Sequence, residues 1–297
     1  MFTRNPFRYL QLYARGQSSL RYAMHTDIPG LKFNHFGRQI GFRLLLRGMR
    51  AGMRYSLVPV SSTRYFEFPF VESCLPTSPR ECLDISSPSL FAFWLAKTNP
   101  SLTVTMSNPD PVDIGETISI AQKLGIRNIA TEVAAIDSLA SLTNKYDCIW
   151  SISVVEHVYG SYEDKDAMRI MYQALKPGGR LIVTIPVDQK YWIEYRPTAP
   201  DGPMGVKTDL GYFTQRFYDA NAIQERLVAP IGKAPSVVRW WGEKSKGRFM
   251  DYCNRWIRDG YECTVDDPRE FADHYQEFPA WADMPGVGVC GLMFEKE

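Results

Sequence analysis

Short apolar runs alternate with longer amphipathic segments from about residue 80 to residue 187, and this alternation constrains the fold more than any other feature. The run "RLIVTIPV" (180–187) is almost wholly apolar, which is typical of a strand buried on both faces inside a parallel sheet. Similar runs precede it, and each is followed by a segment long enough for a helix. The pattern therefore predicts an α/β fold, a doubly wound sheet with helices on both faces.

Strand candidates occur both inside this region and at the end of the chain. The predicted parallel strands are 82–86, 102–107, 130–136, 147–153 and 181–186. Two later candidates, "SVVRWWGE" (236–243) and "GVGVCGLMFEK" (286–296), suggest that an antiparallel pair closes the sheet edge. We expect the last strand, near 288–295, to lie antiparallel inside the sheet.

Three segments between the strands carry helix signals. "PSLFAFWLAK" has Pro88 at its first position, after Ser87, whose hydroxyl suits an N-cap. "VDIGETISIAQKLG" is expected to stop at Gly125. A helix over 166–175 is expected to end before "KPGG".

Composition places the chain among ordinary globular proteins, with 297 residues, 45% of them hydrophobic and 23% charged. No apolar run approaches the roughly 20 residues that a membrane helix needs. The first residues lack the apolar stretch of a secretory signal. The six cysteines form no C-x-x-C pair. A reduced, cytoplasmic setting is therefore the expectation.

The charge is unevenly distributed along the chain. Residues 1–54 carry ten Arg or Lys and one acidic residue, so this segment is +9 and the remainder is −8. The stretch "GRQIGFRLLLRGMRAGMRYSL" contains Arg43, Arg47, Arg50 and Arg54, and their spacing predicts a basic amphipathic helix. Such a helix binds an anionic partner (a phosphate, a membrane surface or a nucleic acid) or docks on its own acidic domain. Both interpretations stay open.

A long segment without a clear hydrophobic periodicity follows the fifth predicted strand. Residues 188–215 are rich in Pro, Gly and aromatic residues. Loops of this length are usually functional or disordered. The aromatic residues favour a lid.

The sequence after residue 145 resembles the class I S-adenosylmethionine (SAM)-dependent methyltransferases, especially the small-molecule group with a type-11 methyltransferase domain. "YDCIWSISVVEHVYG" and "MYQALKPGGRLIVTIPV" carry the resemblance. The matching residues are Tyr146, Asp147, Glu156, His157, Leu175, Lys176, Pro177, Gly178 and Gly179. The resemblance covers roughly residues 78–187, and it implies a Rossmann-like sheet of seven strands with SAM as the cofactor. It divides the chain into a basic N-terminal extension (1–77) and a methyltransferase-like domain (78–297), with 188–218 as a lid or acceptor insertion.

The first half of the resembling region keeps the strand–turn–helix pattern of the family but not the glycine residues of the turn. Where the family has Leu-Asp-hydrophobic-Gly-x-Gly-x-Gly, this chain keeps "LDI" (83–85) but has Ser86, Pro88 and Leu90 at the glycine positions. Glycine lets the backbone approach the cofactor at positive φ. The serine hydroxyls and the helix N-terminus still suit a carboxylate or an amine. An altered cofactor loop and a structural relic are therefore both open.

The resemblance implies a set of polar cofactor contacts at the ends of the strands. They are Asp84, Ser86, Ser87, Ser89, Asn108, Asp137, Ser151 and Ser153. Asn108 takes the position of an acid that holds the ribose hydroxyls, and a neutral amide should hold them less firmly. Asp137 lies where the family reads the adenine amino group, and its alternative role is that of a turn or capping aspartate.

Glu156 and His157 are the candidate catalytic pair. Histidine titrates near neutral pH, so His157 is suited to take the proton of a hydroxyl acceptor. The alternative is that the pair orients the loop beneath the cofactor. Quinone-pathway O-methyltransferases resembling this region bind a divalent metal through Glu-x-x-Glu-His, but the first position here is Ser153. We therefore expect no metal site.

Tyrosine and arginine side chains cluster in and just after the 188–215 segment. The candidates for contact with the acceptor are Tyr195, Arg196, Tyr212 and Arg216. These side chains suit a ring-bearing or anionic acceptor through stacking and bidentate hydrogen bonds. The alternative is a lid packed on its own aromatic residues.

These features predict a SAM-dependent methyltransferase that acts on a hydroxyl of a small-molecule, glycan or lipid-linked acceptor. The alternative is a methyltransferase-like binding or scaffold protein that has lost SAM. Nucleic acid fits less well as a partner, because no Asn/Asp-Pro-Pro-aromatic motif follows the fourth strand. Peripheral membrane contact through the basic helix is a further expectation.

Overall fold

An eight-stranded mixed sheet forms the centre of the computed structural model, which describes residues 5–199 and 205–297. The strands of the chain are β1 (Glu81–Ile85), β2 (Thr103–Asn108), β3 (Ile129–Val133), β4 (Tyr146–Ile152), β5 (Leu175–Val187), β6 (Trp192–Arg196), β7 (Lys207–Thr208), β8 (Gly211–Phe217), β9 (Val237–Glu243), β10 (Tyr275–Phe278) and β11 (Gly288–Glu295). The α-helices are α1 (Pro6–Ala23), α2 (Leu31–Leu46), α3 (Ala51–Leu57), α4 (Arg64–Cys74), α5 (Ser89–Thr98), α6 (Pro111–Leu124), α7 (Asp164–Ala174), α8 (Ala220–Ile223), α9 (Arg248–Asp259) and α10 (Asp267–His274).

The strand order across the large sheet is β10-β9-β11-β5-β4-β1-β2-β3. Neighbours from β3 to β5 run parallel, whereas β11 lies antiparallel between β5 and β9. The prediction of five parallel strands with an antiparallel last strand inside the sheet is therefore confirmed. The predicted antiparallel pair, β9 and β11, also forms. The sheet has one strand more than the predicted seven, because β10 adds an edge beyond β9.

The chain changes direction across the sheet between β1 and β4. It leaves β1 toward β2 and β3 and returns to β4 on the other side of β1. Open α/β sheets bind ligands at such a point, beyond the carboxyl ends of the strands. The turn after β1 and the turn after β4 therefore meet where a ligand site is expected.

One local helix prediction needs correction, and two are confirmed. Helix α5 begins at Ser89 with Pro88 as its N-cap residue, and the Ser87 hydroxyl does not cap it. The Ser87 hydroxyl instead donates to the carbonyl oxygen of Ile85 (3.4 Å) and accepts from the Ile152 amide (3.0 Å), which ties the β1 turn to β4. The helix predicted over 166–175 ends at Ala174, before "KPGG" as predicted, and "KPGG" itself lies within β5. Helix α6 ends at Leu124, immediately before Gly125, as predicted.

The N-terminal helices pack directly against the sheet layer. Phe33 and Phe68, from α2 and α4, share one hydrophobic cluster with Phe91 of α5 and Trp150 of β4. Salt bridges Arg8–Glu262 and Arg15–Asp266 join α1 to the segment before α10. The predicted single basic helix is wrong, because α2 and α3 are separate helices joined through residues 47–50. Within the described residues, no helix is both long and apolar enough to cross a bilayer.

The parts of the segment 188–218 that the structure describes, 188–199 and 205–218, contain three strands. These strands form a second, three-stranded antiparallel sheet in the order β6-β8-β7. The register between β6 and β8 shifts after the Glu194–Gln215 pair, so Tyr195 pairs with Phe213 and Thr214 has no partner on β6. This is a β-bulge, a feature that is frequent beside active sites.

Candidate active site

Two adjoining cavities lie beyond the carboxyl ends of β1, β2 and β4. The larger cavity, about 650 Å³, extends toward α3, α9 and the small sheet. The smaller cavity, about 570 Å³, extends toward the ends of β2 and β3 and the residues after β4. Ser86, Asp113 and Ser153 line both, so the cavities meet at the β1 and β4 turns. These volumes are in the range of small-molecule sites.

The turn after β1 replaces glycine with serine without losing the left-handed backbone conformation. Ser86 has a φ of +50°, a region that most residues avoid. Its amide and its hydroxyl donate to the carbonyl oxygen of Ser107 on β2, at 2.8 and 3.1 Å. The Ser87 amide donates to Asp84 Oδ1 (2.9 Å). With Ser86 in this conformation, the chain therefore keeps the tight turn that a glycine would allow.

Asp84 shapes this turn but does not line either cavity. The side chain is fully buried, and burial raises the pKa of its carboxyl to about 6. Ser151 is also fully buried, and its hydroxyl has no hydrogen-bond partner among the described residues. Both side chains lie inside the sheet layer and outside the linings of the two cavities, so their contact with a ligand stays a prediction.

The end of β2 presents an amide and a carboxylate together. Asn108 lines the smaller cavity, and its Nδ2 donates to Asp113 Oδ2 (2.8 Å). Its Oδ1 accepts from the Asp110 amide (2.9 Å). Asp113, in the first turn of α6, lines both cavities and restores a negative charge beside the neutral Asn108. Sequence reasoning missed Asp113 because it aligned the acid with the strand end and not with the following helix.

Asp137 lines the smaller cavity together with Ala135 and Ile136. Its Oδ1 accepts from the Ser138 amide (2.9 Å) within the short helical turn Ile136–Leu139 that follows β3. Both predicted roles, cavity residue and turn aspartate, are therefore compatible with its position.

Ser153 is held at the junction of the cavities by a carboxylate from the N-terminal region. Its hydroxyl donates to Glu67 of α4, which also accepts from Thr184 Oγ1 (2.7 Å) and Thr63 Oγ1 (3.1 Å). Ser153 has a φ of +51°, and its amide donates to the Thr184 carbonyl oxygen (3.0 Å). Glu67 is fully buried, so α4 contributes a fixed polar support to the β4 turn.

His157 lines the smaller cavity in a defined tautomer. Its Nδ1 lies 2.7 Å from the Thr214 carbonyl oxygen, which can only accept, so Nδ1 carries the proton. Burial lowers the pKa of the imidazole, so the ring is neutral near pH 7 and Nε2 keeps its lone pair. Thr214 is the bulge residue of β8, and the bulge therefore orients the histidine.

Glu156 lies beneath this histidine and outside both cavities. It is almost fully buried, and one of its oxygens, Oε2, has no partner among the described residues. Burial, reinforced by the charge of Glu67, raises the pKa of Glu156 to about 8. Its Oε1 lies 3.8 Å from His157 Nε2. Glu156 supports the loop and lies outside the linings of the two cavities, so its catalytic role stays a prediction.

One face of the small sheet forms a wall of the larger cavity. Alternation along the strands places Trp192, Glu194 and Arg196 of β6 beside Gln215 and Phe217 of β8. Trp192 and Phe217 stack with 4.1 Å between ring centroids. Glu194 accepts from Arg196 Nε (2.9 Å) and from Gln215 Nε2 (2.7 Å). We call these five residues the platform.

Of the four predicted acceptor residues, only Arg196 belongs to the platform. Tyr195 faces the opposite side of β6, where its ring meets Phe213 edge-on. Neither Tyr195 nor Tyr212 is part of the described lining of the two cavities. Arg216 is 1% exposed, and its Nη1 donates to the carbonyl oxygens of Val158 (2.6 Å) and Glu156 (3.4 Å). This side chain therefore anchors β8 to the loop after β4, and its contact with the acceptor stays a prediction.

The N-terminal helices supply further cavity residues that the sequence did not identify. Tyr55 of α3 shares a hydrogen bond with Ser89 (2.9 Å between the hydroxyl oxygens), at the start of α5. Arg54 and Arg64 also line the larger cavity. Cationic groups beside the first turn of α5 are suited to a carboxylate or a phosphate.

The residues present fit a SAM-like group that spans both cavities. Ser86 supplies the positive φ of the missing glycine, and Asn108 and Asp113 offer acceptors for a diol. Arg54, which also pairs with Glu116 (3.0 Å), offers a cation for a carboxylate. Leu90 does not block the turn, because its side chain is buried in the core beneath α2. In the described part of the chain, no group of three or more His, Cys, Asp or Glu residues is arranged to hold a metal ion.

Comparisons with known proteins agree with this fold. Residues 83–183 match the sequence profile of a methyltransferase domain. Phosphoethanolamine N-methyltransferase 2 from Haemonchus contortus, solved with S-adenosyl-L-methionine, superposes with a TM-score of 0.51 at 12% identity. The match covers 86% of this chain and 56% of the nematode enzyme. No curated protein sequence matches the chain.

Two further solved structures superpose with lower TM-scores. The [4+2]-cyclase SpnF superposes with a TM-score of 0.49 at 18% identity, over 77% of this chain and 79% of the cyclase. Coclaurine N-methyltransferase, bound to N-methylheliamine and SAH, gives 0.49 at 11% identity, over 77% of this chain and 68% of that enzyme.

Proposed function

This chain carries the domain of a class I SAM-dependent methyltransferase, and from that premise we propose that it methylates a hydroxyl of a small-molecule, glycan or lipid-linked acceptor. The observation that carries the proposal is the neutral, oriented imidazole of His157. When bound, SAM supplies the methyl group. Oxygen acceptors have a proton to lose, and His157 Nε2 is a base beside the cofactor cavity that can take it.

The cofactor contacts that we propose follow the two cavities. Asn108 and Asp113 hold the ribose hydroxyls, and Ala135, Ile136 and Asp137 flank the adenine. The methionine part passes Ser86 and Ser153 toward Arg54, which pairs with the carboxylate. This arrangement places the methyl group near the junction of the cavities, where the acceptor must also arrive.

We propose that the acceptor binds against the platform in the larger cavity. Trp192, stacked on the buried Phe217, provides apolar ring surface. Glu194, Arg196 and Gln215 provide planar hydrogen-bonding groups on rigid strands. Such a mixture suits a ring that carries several hydroxyls, because both its faces and its edges find partners. A glycan-like acceptor therefore fits the platform better than a wholly apolar one.

Methyl transfer from labelled SAM to a panel of glycosides and phenols tests the proposal. The His157→Gln variant should lower kcat by about 10²–10⁴ for hydroxyl acceptors and leave SAM affinity unchanged by calorimetry. His25→Gln, which changes an exposed histidine in the loop after α1, is the matched control. Full activity of His157→Gln across the pH range would contradict the role of the base.

The platform has its own matched pair of variants. Trp192→Ala should raise the acceptor KM at least tenfold, whereas Tyr195→Ala, on the other face of the same strand, should change it little. Equal effects of the two variants would show that the platform is not the acceptor wall. Transfer to phenols only would exclude the glycan-like class.

A further inference from the structure

An exposed tip at the junction of α2 and α3 combines unpaired cations with exposed apolar side chains. The basic tip consists of Phe42, Arg43, Leu46, Arg47 and Arg50. It lies apart from both cavities, and the described cavity linings include none of its residues. The proposed methyltransferase reaction makes no use of it.

The sequence around the tip contains basic residues but no acidic residues. Residues 28–66 contain no Asp or Glu and seven Lys or Arg. Lys32, Arg54 and Arg64 are paired with Glu72, Glu116 and Glu67, and Arg38 is buried. That leaves Arg43, Arg47 and Arg50, for which the described residues provide no carboxylate within 4.0 Å. The unpaired cations of this region are therefore the three on the tip.

Apolar side chains lie among these arginines. Leu46 is 88% exposed and Phe42 is 40% exposed, and both lie on the last turns of α2. Single exposed apolar residues are ordinary on protein surfaces. A leucine and a phenylalanine framed by three unpaired arginines form a surface that is both apolar and cationic, which calls for a ligand with both properties.

The tip is held rigidly by the close approach of its two helices. A Cβ on Gly41 would lie 2.3 Å from the Ser56 amide nitrogen, so α2 and α3 touch backbone to backbone. Gly48, with a φ of +74°, makes the tight connection that projects Leu46 and Arg47. A preorganised tip loses little conformational freedom on binding.

We propose that the basic tip docks the protein on an anionic phospholipid surface. Guanidinium groups bind lipid phosphates bidentately, and Leu46 and Phe42 enter the boundary between headgroups and acyl chains. Each arginine near an anionic leaflet adds to the attraction, and stable binding needs a second, apolar signal. Nucleic acid would satisfy the arginines but would leave Leu46 and the exposed part of Phe42, whose ring meets Tyr13 edge-on, without an apolar partner. A membrane therefore fits the surface better.

The tip is connected to the larger cavity by one short helix. Arg50 precedes α3, and Arg54 and Tyr55, about one turn further along, line the cavity. Docking of the tip therefore places the larger cavity close to the lipid surface, one short helix away from it. This inference does not depend on the nature of the methyl acceptor.

Co-sedimentation with vesicles tests the docking. We expect the protein to bind POPC vesicles with 30% POPG at least tenfold more strongly than pure POPC vesicles, and 0.5 M salt should weaken that binding. The triple variant Arg43→Gln, Arg47→Gln, Arg50→Gln should lose at least tenfold in binding. The pair Phe42→Ser, Leu46→Ser should also lose at least tenfold with all arginines retained.

A charge-matched control separates the tip from overall charge. Lys97→Gln, Lys123→Gln, Arg127→Gln removes three exposed cations elsewhere and should leave vesicle binding within twofold. Equal losses in the two triple variants, no binding by the unaltered protein, or no effect of the Phe42 and Leu46 changes would each overturn the proposal. Competition by a duplex RNA that depends on the same arginines would identify nucleic acid as the ligand instead. Calorimetry with SAM on the tip variants reports on the methyltransferase site separately.

Discussion

His157 Nδ1 donates a hydrogen bond to the carbonyl oxygen of Thr214 over 2.7 Å, and Thr214 is the bulge residue of the small sheet. The bulge frees this carbonyl from the β6–β8 ladder and aims it at the imidazole. A single extra residue in one strand therefore fixes the tautomer of a histidine that lies more than fifty positions earlier in the chain.

The first prediction concerns that tautomer. Long-range ¹⁵N–¹H NMR spectra should show His157 as a neutral ring protonated on Nδ1 at pH 7, with a pKa below the usual 6.5 because the ring is buried. The chain has four histidines, so the signals can be assigned by comparison with His157→Gln. A ring protonated on Nε2, or a pKa above 6.5, would contradict the geometry.

The second prediction concerns the serine that replaces the first glycine. Ser86→Gly should change the unfolding free energy by no more than about 1 kcal/mol, because relief of the positive φ offsets the lost hydroxyl bond to Ser107. Ser86→Val should cost about 2 kcal/mol, since a β-branched residue tolerates φ of +50° poorly. Urea unfolding measures both values. Calorimetry should show that the glycine variant keeps SAM binding and the valine variant loses it; equal behaviour of the two would show that the turn is not under backbone constraint.

Much of the sheet could be predicted from the sequence, because the signals there are local. Apolar runs such as 180–187 identify strands buried on both faces, and Gly125 marks a helix end through its own backbone. β10 was missed because its two central residues, Gln276 and Glu277, are polar and exposed, so the segment lacks the alternation of apolar and polar residues typical of a strand. The break between α2 and α3 was missed because the arginine spacing continues across it.

The site was harder to predict because its side chains meet through long-range contacts. Glu67 supports Ser153 from a helix that precedes the whole sheet, and no spacing in the sequence links the two. Treating 188–215 as a loop hid the alternation that separates Trp192, Glu194 and Arg196 from Tyr195. Once the segment is recognised as a strand pair, the period of two selects the platform face.

The third prediction separates two arginines that the sequence treats alike. Arg216→Met should lower the unfolding free energy by about 3 kcal/mol, because two buried carbonyl groups and Asp164 lose a cationic partner. Arg196→Met should cost no more than about 1 kcal/mol, since its pair with Glu194 is partly exposed. Urea unfolding gives the two values. A structural cost for Arg196 as large as that for Arg216 would contradict the assignment of Arg196 to the cavity wall.

The last prediction follows from the buried carboxyl of Glu156. Burial raises its pKa from 4.5 to about 8, so between these values the folded protein holds a proton that the unfolded chain releases. The contribution of Glu156 to stability is therefore full below about pH 4.5 and is lost as the pH rises toward 8, by up to about 1.4 kcal/mol for each pH unit. Glu156→Gln removes this titration and keeps the shape of the side chain. The variant should consequently gain stability relative to the unaltered protein between pH 5 and pH 8, measured by urea unfolding at each pH.

Asp84, whose pKa is also raised, to about 6, titrates in both proteins and cancels from the difference. A difference between the two proteins that stays constant with pH would mean that Glu156 is ionised in the folded state, and its neighbours Glu67 and His157 would then have to accommodate a buried charge.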